Sequence, residues 1–172
     1  MRIVVWLLIS SMSFPLFAQK NAAYFVQRAQ KRMLQEDFQG ALRDFNDAVA
    51  LEPNNASAYV NRGMLQACYL FNKRSALYDF NKAIELSPNE PSGYYNRGSL
   101  LKDAQDYEGA LKDYNRVIEL SPNFAGAYYN RATLYYFFIG NKKQACTDWH
   151  KAESLGYQEA SEWIAKYCKE AK

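Results

Sequence analysis

The sequence has little of what chemistry needs. It holds one histidine, His150, and 3 cysteines among 172 residues. No serine-nucleophile pattern surrounds His150, and no glycine-rich phosphate loop occurs. Catalysis and cofactor chemistry are therefore not expected. Lysines and arginines are scattered among carboxylates, with a formal net charge of +3. A nucleic-acid surface needs a basic stripe, and none is present. Beyond the first residues no segment is long and apolar enough to span a bilayer. Low-complexity tracts and linker-like stretches are missing too.

The one apolar run lies at the start. Arg2 precedes Ile3-Val-Val-Trp-Leu-Leu-Ile9, followed by Ser10, Ser11, Ser13, Pro15 and Ala18. This order of charged, apolar and small residues is that of a secretory signal peptide over 1–18, cut after Ala18. An uncleaved anchor is the alternative, but the run is too short and too broken to span. No cysteine sits near the cut, which disfavours a lipid anchor. The mature chain, 19–172, then fits one domain.

What is abundant is repetition. The phrase Tyr24-Phe-Val-Gln-Arg-Ala29 returns as Ala58-Tyr-Val-Asn-Arg-Gly63, Gly93-Tyr-Tyr-Asn-Arg-Gly98 and Ala127-Tyr-Tyr-Asn-Arg-Ala132, at steps of 34, 35 and 34. A second phrase keeps the same beat: Ala41-Leu-Arg-Asp-Phe-Asn46, Ala76-Leu-Tyr-Asp-Phe-Asn81, Ala110-Leu-Lys-Asp-Tyr-Asn115 and Ala145-Cys-Thr-Asp-Trp-His150. Such a period predicts stacked helical hairpins. In the third unit the spacing predicts helices over 91–104 and 107–120. There Ala110, Leu111, Tyr114, Val117 and Ile118 recur on one helical face. Pro53, Pro88 and Pro122 end second helices, and Pro91 starts a first one. Aromatics make up 16% of the sequence, which suits hairpins that interlock through large rings. Ala29, Gly63, Gly98 and Ala132 are small so that the two helices of a hairpin can approach. Ala41, Ala76, Ala110 and Ala145 are expected opposite them.

The pattern resembles the tetratricopeptide repeat. The third unit carries it as Tyr94, Gly98, Ala110, Tyr114 and Pro122, and the second as Tyr59, Gly63, Ala76, Phe80, Ala83 and Pro88. The resemblance implies an all-α, right-handed superhelical solenoid of four hairpins, about 22–55, 56–90, 91–124 and 125–157. A capping helix at about 158–170 would close the stack with Ala160, Trp163, Ile164, Tyr167 and Cys168. It also implies a concave groove lined by the first helices. That selects Val26, Gln27, Val60, Asn61, Tyr95, Asn96, Tyr129 and Asn130, then Ser99, Lys102, Thr133, Tyr136 and Phe137 one turn on. Amides there can read a peptide backbone, or can satisfy neighbouring backbone groups instead. The cationic clamp that some members use for acidic C-terminal tails mostly lacks its Lys and Arg here.

Arg28, Arg62, Arg97 and Arg131 match Asp44, Asp79, Asp113 and Asp148 in number and beat, so they are expected to pair structurally. Cys146 and Cys168 are either a disulfide or two buried small apolar groups, with Cys68 left over. With His150 they could alternatively form a three-ligand metal set. The leading reading is a protein–protein adaptor or scaffold of the bacterial envelope, in the periplasm or an exported compartment. It would bind a protein or peptide segment and keep no membrane span after signal cleavage. Competing readings are a structural subunit using flanks or cap, and a thiol or metal protein.

Overall fold

A computed structural model describes residues 21–168 of the chain. Residues 1–18, expected to be a signal peptide, lie outside the described residues, as does the end of the expected capping segment. The described residues form four helical hairpins: α1 (Ala22–Leu34) with α2 (Phe38–Leu51), α3 (Ala56–Cys68) with α4 (Lys73–Leu86), α5 (Pro91–Asp103) with α6 (Tyr107–Leu120), and α7 (Ala125–Leu134) with α8 (Lys142–Ser154). A π-helical turn, Tyr135–Ile139, extends α7, and α9 (Glu159–Tyr167) packs on α8.

The helix starts are written in the sequence. Asn21, Asp37, Asn55, Asn72, Asp106 and Asn141 each accept a hydrogen bond from the backbone N–H three residues on. Each bond satisfies one donor that the first helical turn cannot. α5 has no such side-chain cap and starts with Pro91, which has no N–H to satisfy. Prolines also join repeats: the hydroxyls of Tyr94 and Tyr128 donate to the carbonyls of Pro88 and Pro122, both at 3.2 Å.

The small residues act as expected, against different partners. A Cβ on Gly98 would lie 3.1 Å from Tyr114 Cε1 and 3.2 Å from Asp113 Cβ. One on Gly63 would lie 2.7 Å from Phe80 Cε1. The contact is therefore with the aromatic ring and aspartate one turn beyond the alanine. The alanines are buried deeper, beneath those rings. Repeat joins repeat through leucines two residues after the small position. Leu65 packs with Ala29, Ala41 and Phe45, Leu100 with Ala76 and Phe80, and Leu134 with Ala110 and Tyr114. The matching residue of the first hairpin is Lys31, which is exposed.

The arginines and aspartates pair within each hairpin. Arg97 donates from Nε and Nη2 to Asp113 at 2.8 and 2.7 Å, and its Nη1 reaches Asn81 of the preceding hairpin at 2.7 Å. Arg62 joins Asp79 and Asn46 in the same way, and Arg131 joins Asp148 and Asn115. Each guanidinium also lies over the tyrosine three residues before it, at 5.4 to 5.7 Å. Hydrogen bonding to Asp79 and Asp113 raises the pKa of Arg62 and Arg97. The four aspartates are buried.

The chain closes on an aromatic cluster. Trp149 is fully buried among Tyr136, Trp163 and Tyr167. A disulfide joins Cys146 of α8 to Cys168 just after α9, with Cα atoms 5.7 Å apart.

Two substitutions check this packing. Gly98→Leu should cost about 1–3 kcal/mol through overpacking against Tyr114, while Lys112→Leu on the exposed face should leave the melting temperature nearly unchanged. Arg97→Met strands the Asp113 carboxylate and should cost about 3–5 kcal/mol. The double variant Arg97→Met with Asp113→Leu should recover some of that loss in urea unfolding. Equal losses in the single and double variants would show that the pair is not the source.

Candidate functional site: the face of the first helices

The first helices touch one another, α3 with α5 and α5 with α7, whereas each of α2, α4 and α6 packs mainly on the helix before and the helix after it. A stack that brings its first helices together curves toward them, so they line the concave face. This face is not uniform.

Its C-terminal end is covered. Tyr129 stacks on Tyr157 at 4.6 Å and meets Trp163 edge-on at 6.2 Å. Tyr136 and Phe137 pack against Tyr167, at 4.7 and 5.6 Å. The α9 rings therefore half-bury Tyr129 and Tyr136, while Phe137 keeps 44% of its surface exposed. Burial raises the Tyr129 phenol pKa. Asn130 donates to the Tyr95 hydroxyl at 3.1 Å, tying α7 to α5. Tyr95 itself packs against Phe124 and Tyr114, and burial raises its pKa. Thr133 donates to the Tyr129 carbonyl of its own helix. Val60, expected on the groove, is 8% exposed and packs with Tyr59 and Ala83. It belongs to the core, and Val26 is partly buried in the same manner.

The middle of the face is open. Between α3 and α5 lies a cavity of 520 Å³ lined by Met64, Ala67, Cys68, Leu100, Asn96 and Ser99, with Phe71, Lys73, Phe80 and Asp103 completing it. Its floor and walls are largely apolar. Its polar groups are the Asn96 amide and the Ser99 hydroxyl, with Lys73 and Asp103 at the turn end. Asn96 donates to the Ser92 carbonyl at 2.8 Å, which leaves its side-chain oxygen as an acceptor. Ser99 bonds the Tyr95 carbonyl and the Tyr114 hydroxyl. Asn61 sits on α3, half-buried. Of the residues expected on the groove, Asn96 and Ser99 line this cavity, and Tyr129, Asn130 and Tyr136 do not. Met64 and Ala67 are absent from the expected set, although they hold in the second repeat the places that Ser99 and Lys102 hold in the third. The same repeat step applied to α3 finds them.

The metal-binding set is not assembled. The disulfide takes the sulfurs of Cys146 and Cys168, and His150 stands exposed with Glu153 3.8 Å away. Cys68 is a free and exposed thiol. A thiol reagent should therefore find one reactive thiol per native chain and 3 after reduction in denaturant, matching the sequence count. Three thiols in the native chain without reductant would show an open bridge.

Two family profiles match the middle of the chain: TPR repeat over residues 98–136 and Tetratricopeptide repeat over residues 80–112. No curated protein matches the sequence. Solved structures share the fold. A crystal structure of MamA protein is 20% identical, with 86% of this chain and 90% of that one covered and a TM-score of 0.70. The first TPR of Spaghetti (RPAP3), solved bound to the HSP90 peptide SRMEEVD, is 25% identical over 70% of this chain and 95% of that one, with a TM-score of 0.66. A tetratricopeptide repeat protein from Parabacteroides merdae is 23% identical over 78% of this chain and 53% of that one, with a TM-score of 0.69. The tetratricopeptide repeat is thus matched by sequence over residues 80–136, and the stack is matched by shape along most of the chain's length.

Proposed function

We propose that the protein is an exported interaction module that takes an extended segment of a protein partner across α3 and α5. The open cavity between these helices carries the reading. Met64, Ala67 and Leu100 offer a recess for one apolar side chain, and the Asn96 oxygen offers an acceptor to a passing backbone N–H. The relative solved with a bound peptide supports peptide capture as something this scaffold can do. Toward the carboxyl end the rings of α9 cover part of the face, so the reading centres on α3 and α5. Export is supported by the order of residues over 1–18 and by the disulfide, a bond typical of oxidising compartments.

A library of random peptides displayed on phage and selected on the purified protein tests this. Enriched peptides should share an apolar residue. Met64→Glu should weaken them about tenfold or more, as for a lost anchor of about 1.4 kcal/mol or above. Asn96→Ala should weaken them by about 1 kcal/mol. Lys82→Ala, on an exposed helix face with Glu85, should bind normally. Peptides that bind Met64→Glu as well as the parent would move the contact elsewhere. N-terminal sequencing of the native protein should begin at or near Gln19, and a retained Met1 would contradict export.

A further inference from the structure

The four hairpin turns form one continuous edge. Phe38, just past the first turn, stacks on Tyr69 of the second at 4.5 Å. Lys73 of the second donates to the Asp103 carbonyl of the third at 3.3 Å. Tyr107, past the third, stacks on Phe138 of the fourth at 4.1 Å. Along this edge the second and fourth turns share a design. Tyr69-Leu-Phe71 is followed by Asn72, Lys73 and Arg74, and Phe137-Phe-Ile139 by Gly140, Asn141, Lys142 and Lys143.

Packing accounts in part for Phe138, which stacks on Tyr107, but not for Phe71. Phe71 is 82% exposed and sits at φ 52°, in the left-handed region that disfavours a bulky side chain. The equivalent place in the fourth turn is Gly140, at φ 81°. The fourth turn reaches solvent by another irregularity. Its π-helical turn leaves Phe138 and Ile139 49% and 46% exposed. Leu34, ending the first helix on the same edge, is 88% exposed. The left-handed conformation recurs at the same place in the first and third turns, at Glu36 (φ 60°) and Gln105 (φ 65°), so what is particular to the second turn is the phenylalanine it holds out to solvent.

The charges beside the apolar tips of the second and fourth turns are cationic, while the first turn carries the exposed carboxylate Glu36. Lys73, Arg74, Lys142 and Lys143 have no carboxylate within ion-pair distance among the described residues. The carboxylates of the intervening third turn are engaged. Asp103 lies 3.8 Å from Lys102, and Asp106 accepts the Gly109 N–H. Glu108 lines the outer cavity with Leu111 and Lys112. Lys73 donates only to a backbone carbonyl and Lys142 lies over the Tyr136 ring, so the cations beside the projecting apolar side chains keep their charge without a carboxylate, which matches an apolar layer beneath an anionic one. A bilayer also receives projections without needing a pocket shaped to them.

We infer that the turn edge of the second and fourth hairpins docks the protein on an anionic lipid surface. Phe71, Phe138 and Ile139 enter the headgroup boundary, while Lys73, Arg74, Lys142 and Lys143 hold lipid phosphates. No described helix is long and apolar enough to span a bilayer, so the described residues would lie on the surface. Phe71 and Lys73 also border the concave recess, so the lipid surface would adjoin its rim.

Co-sedimentation of the purified chain with phosphatidylglycerol vesicles, and in parallel with phosphatidylcholine vesicles, tests this. Binding to the first and not the second is expected, with loss at high salt as screening shortens. Lys142→Ala with Lys143→Ala should weaken it about 25-fold, at about fivefold per cation near an anionic leaflet. Neither residue lines the concave cavity, so peptide binding there should be unchanged, and this separates the two readings. Phe71→Gly should weaken vesicle binding while keeping or raising the melting temperature, because glycine is at ease at that φ. A merely structural phenylalanine would instead lower it. Equal binding to both vesicles, vesicle binding indifferent to these variants, or competition by soluble polyglutamate without vesicle preference would overturn the proposal. The last would assign the edge to an acidic protein.

Discussion

Each stacking interface turns on a three-way bridge. A buried aspartate cannot remain without a partner at tolerable cost. The arginine of the same hairpin meets it with two parallel bonds, the geometry in which guanidinium and carboxylate fit best. Its third nitrogen reaches back to the asparagine of the hairpin before, and its plane rests on a tyrosine. One side chain thereby fixes the angle within a hairpin and the register between two. The inserted leucines supply the apolar contact that the bridge orients. At the ends the bridge changes. Arg28 turns its spare nitrogen to the Tyr24 hydroxyl, and Arg32 joins it on Asp44. His150 takes the place that asparagine holds elsewhere, exposed on α8.

Much of this was legible because it repeats. Four copies of one phrase mark the helices, the arginine–aspartate pairing and the prolines that separate each hairpin from the next. The cysteines lay within reach of each other once α9 was placed on α8. The groove was less legible, for a definite reason. Which first-helix side chains stay open depends on what stands across from them, and that is not repeated. Tyr129 and Tyr95 occupy the same place in consecutive repeats. One is covered by the capping helix and the other is wedged against Phe124. Val60 has the phase of a groove residue but the burial of a core one. Handedness at Phe71 leaves no trace in an apolar pattern, because glycine or asparagine is what a sequence reader looks for there.

The concave cavity and the turn edge adjoin, and Phe71, Lys73 and Asp103 border both. Repeats that share a backbone can differ in what they display because the bridge and the leucines, on other helix faces, hold the stack. The second hairpin accordingly carries Met64, Cys68 and Phe71 toward its tip, where the third carries Ser99, Asp103 and Gln105.

The disulfide gives the stack a mechanical polarity. Each hairpin is held mainly by its neighbours, so a chain pulled from its two termini peels from an end rather than yielding all at once. At the carboxyl end the bridge encloses the 22-residue separation between Cys146 and Cys168. Force applied at the C-terminus bypasses α9 and most of α8 and loads the chain at Cys146. The amino end has no such bridge among the described residues. Tension would therefore strip the first hairpin while the aromatic end stayed closed, and the last unit to lose its shape under load would be the one that α9 covers.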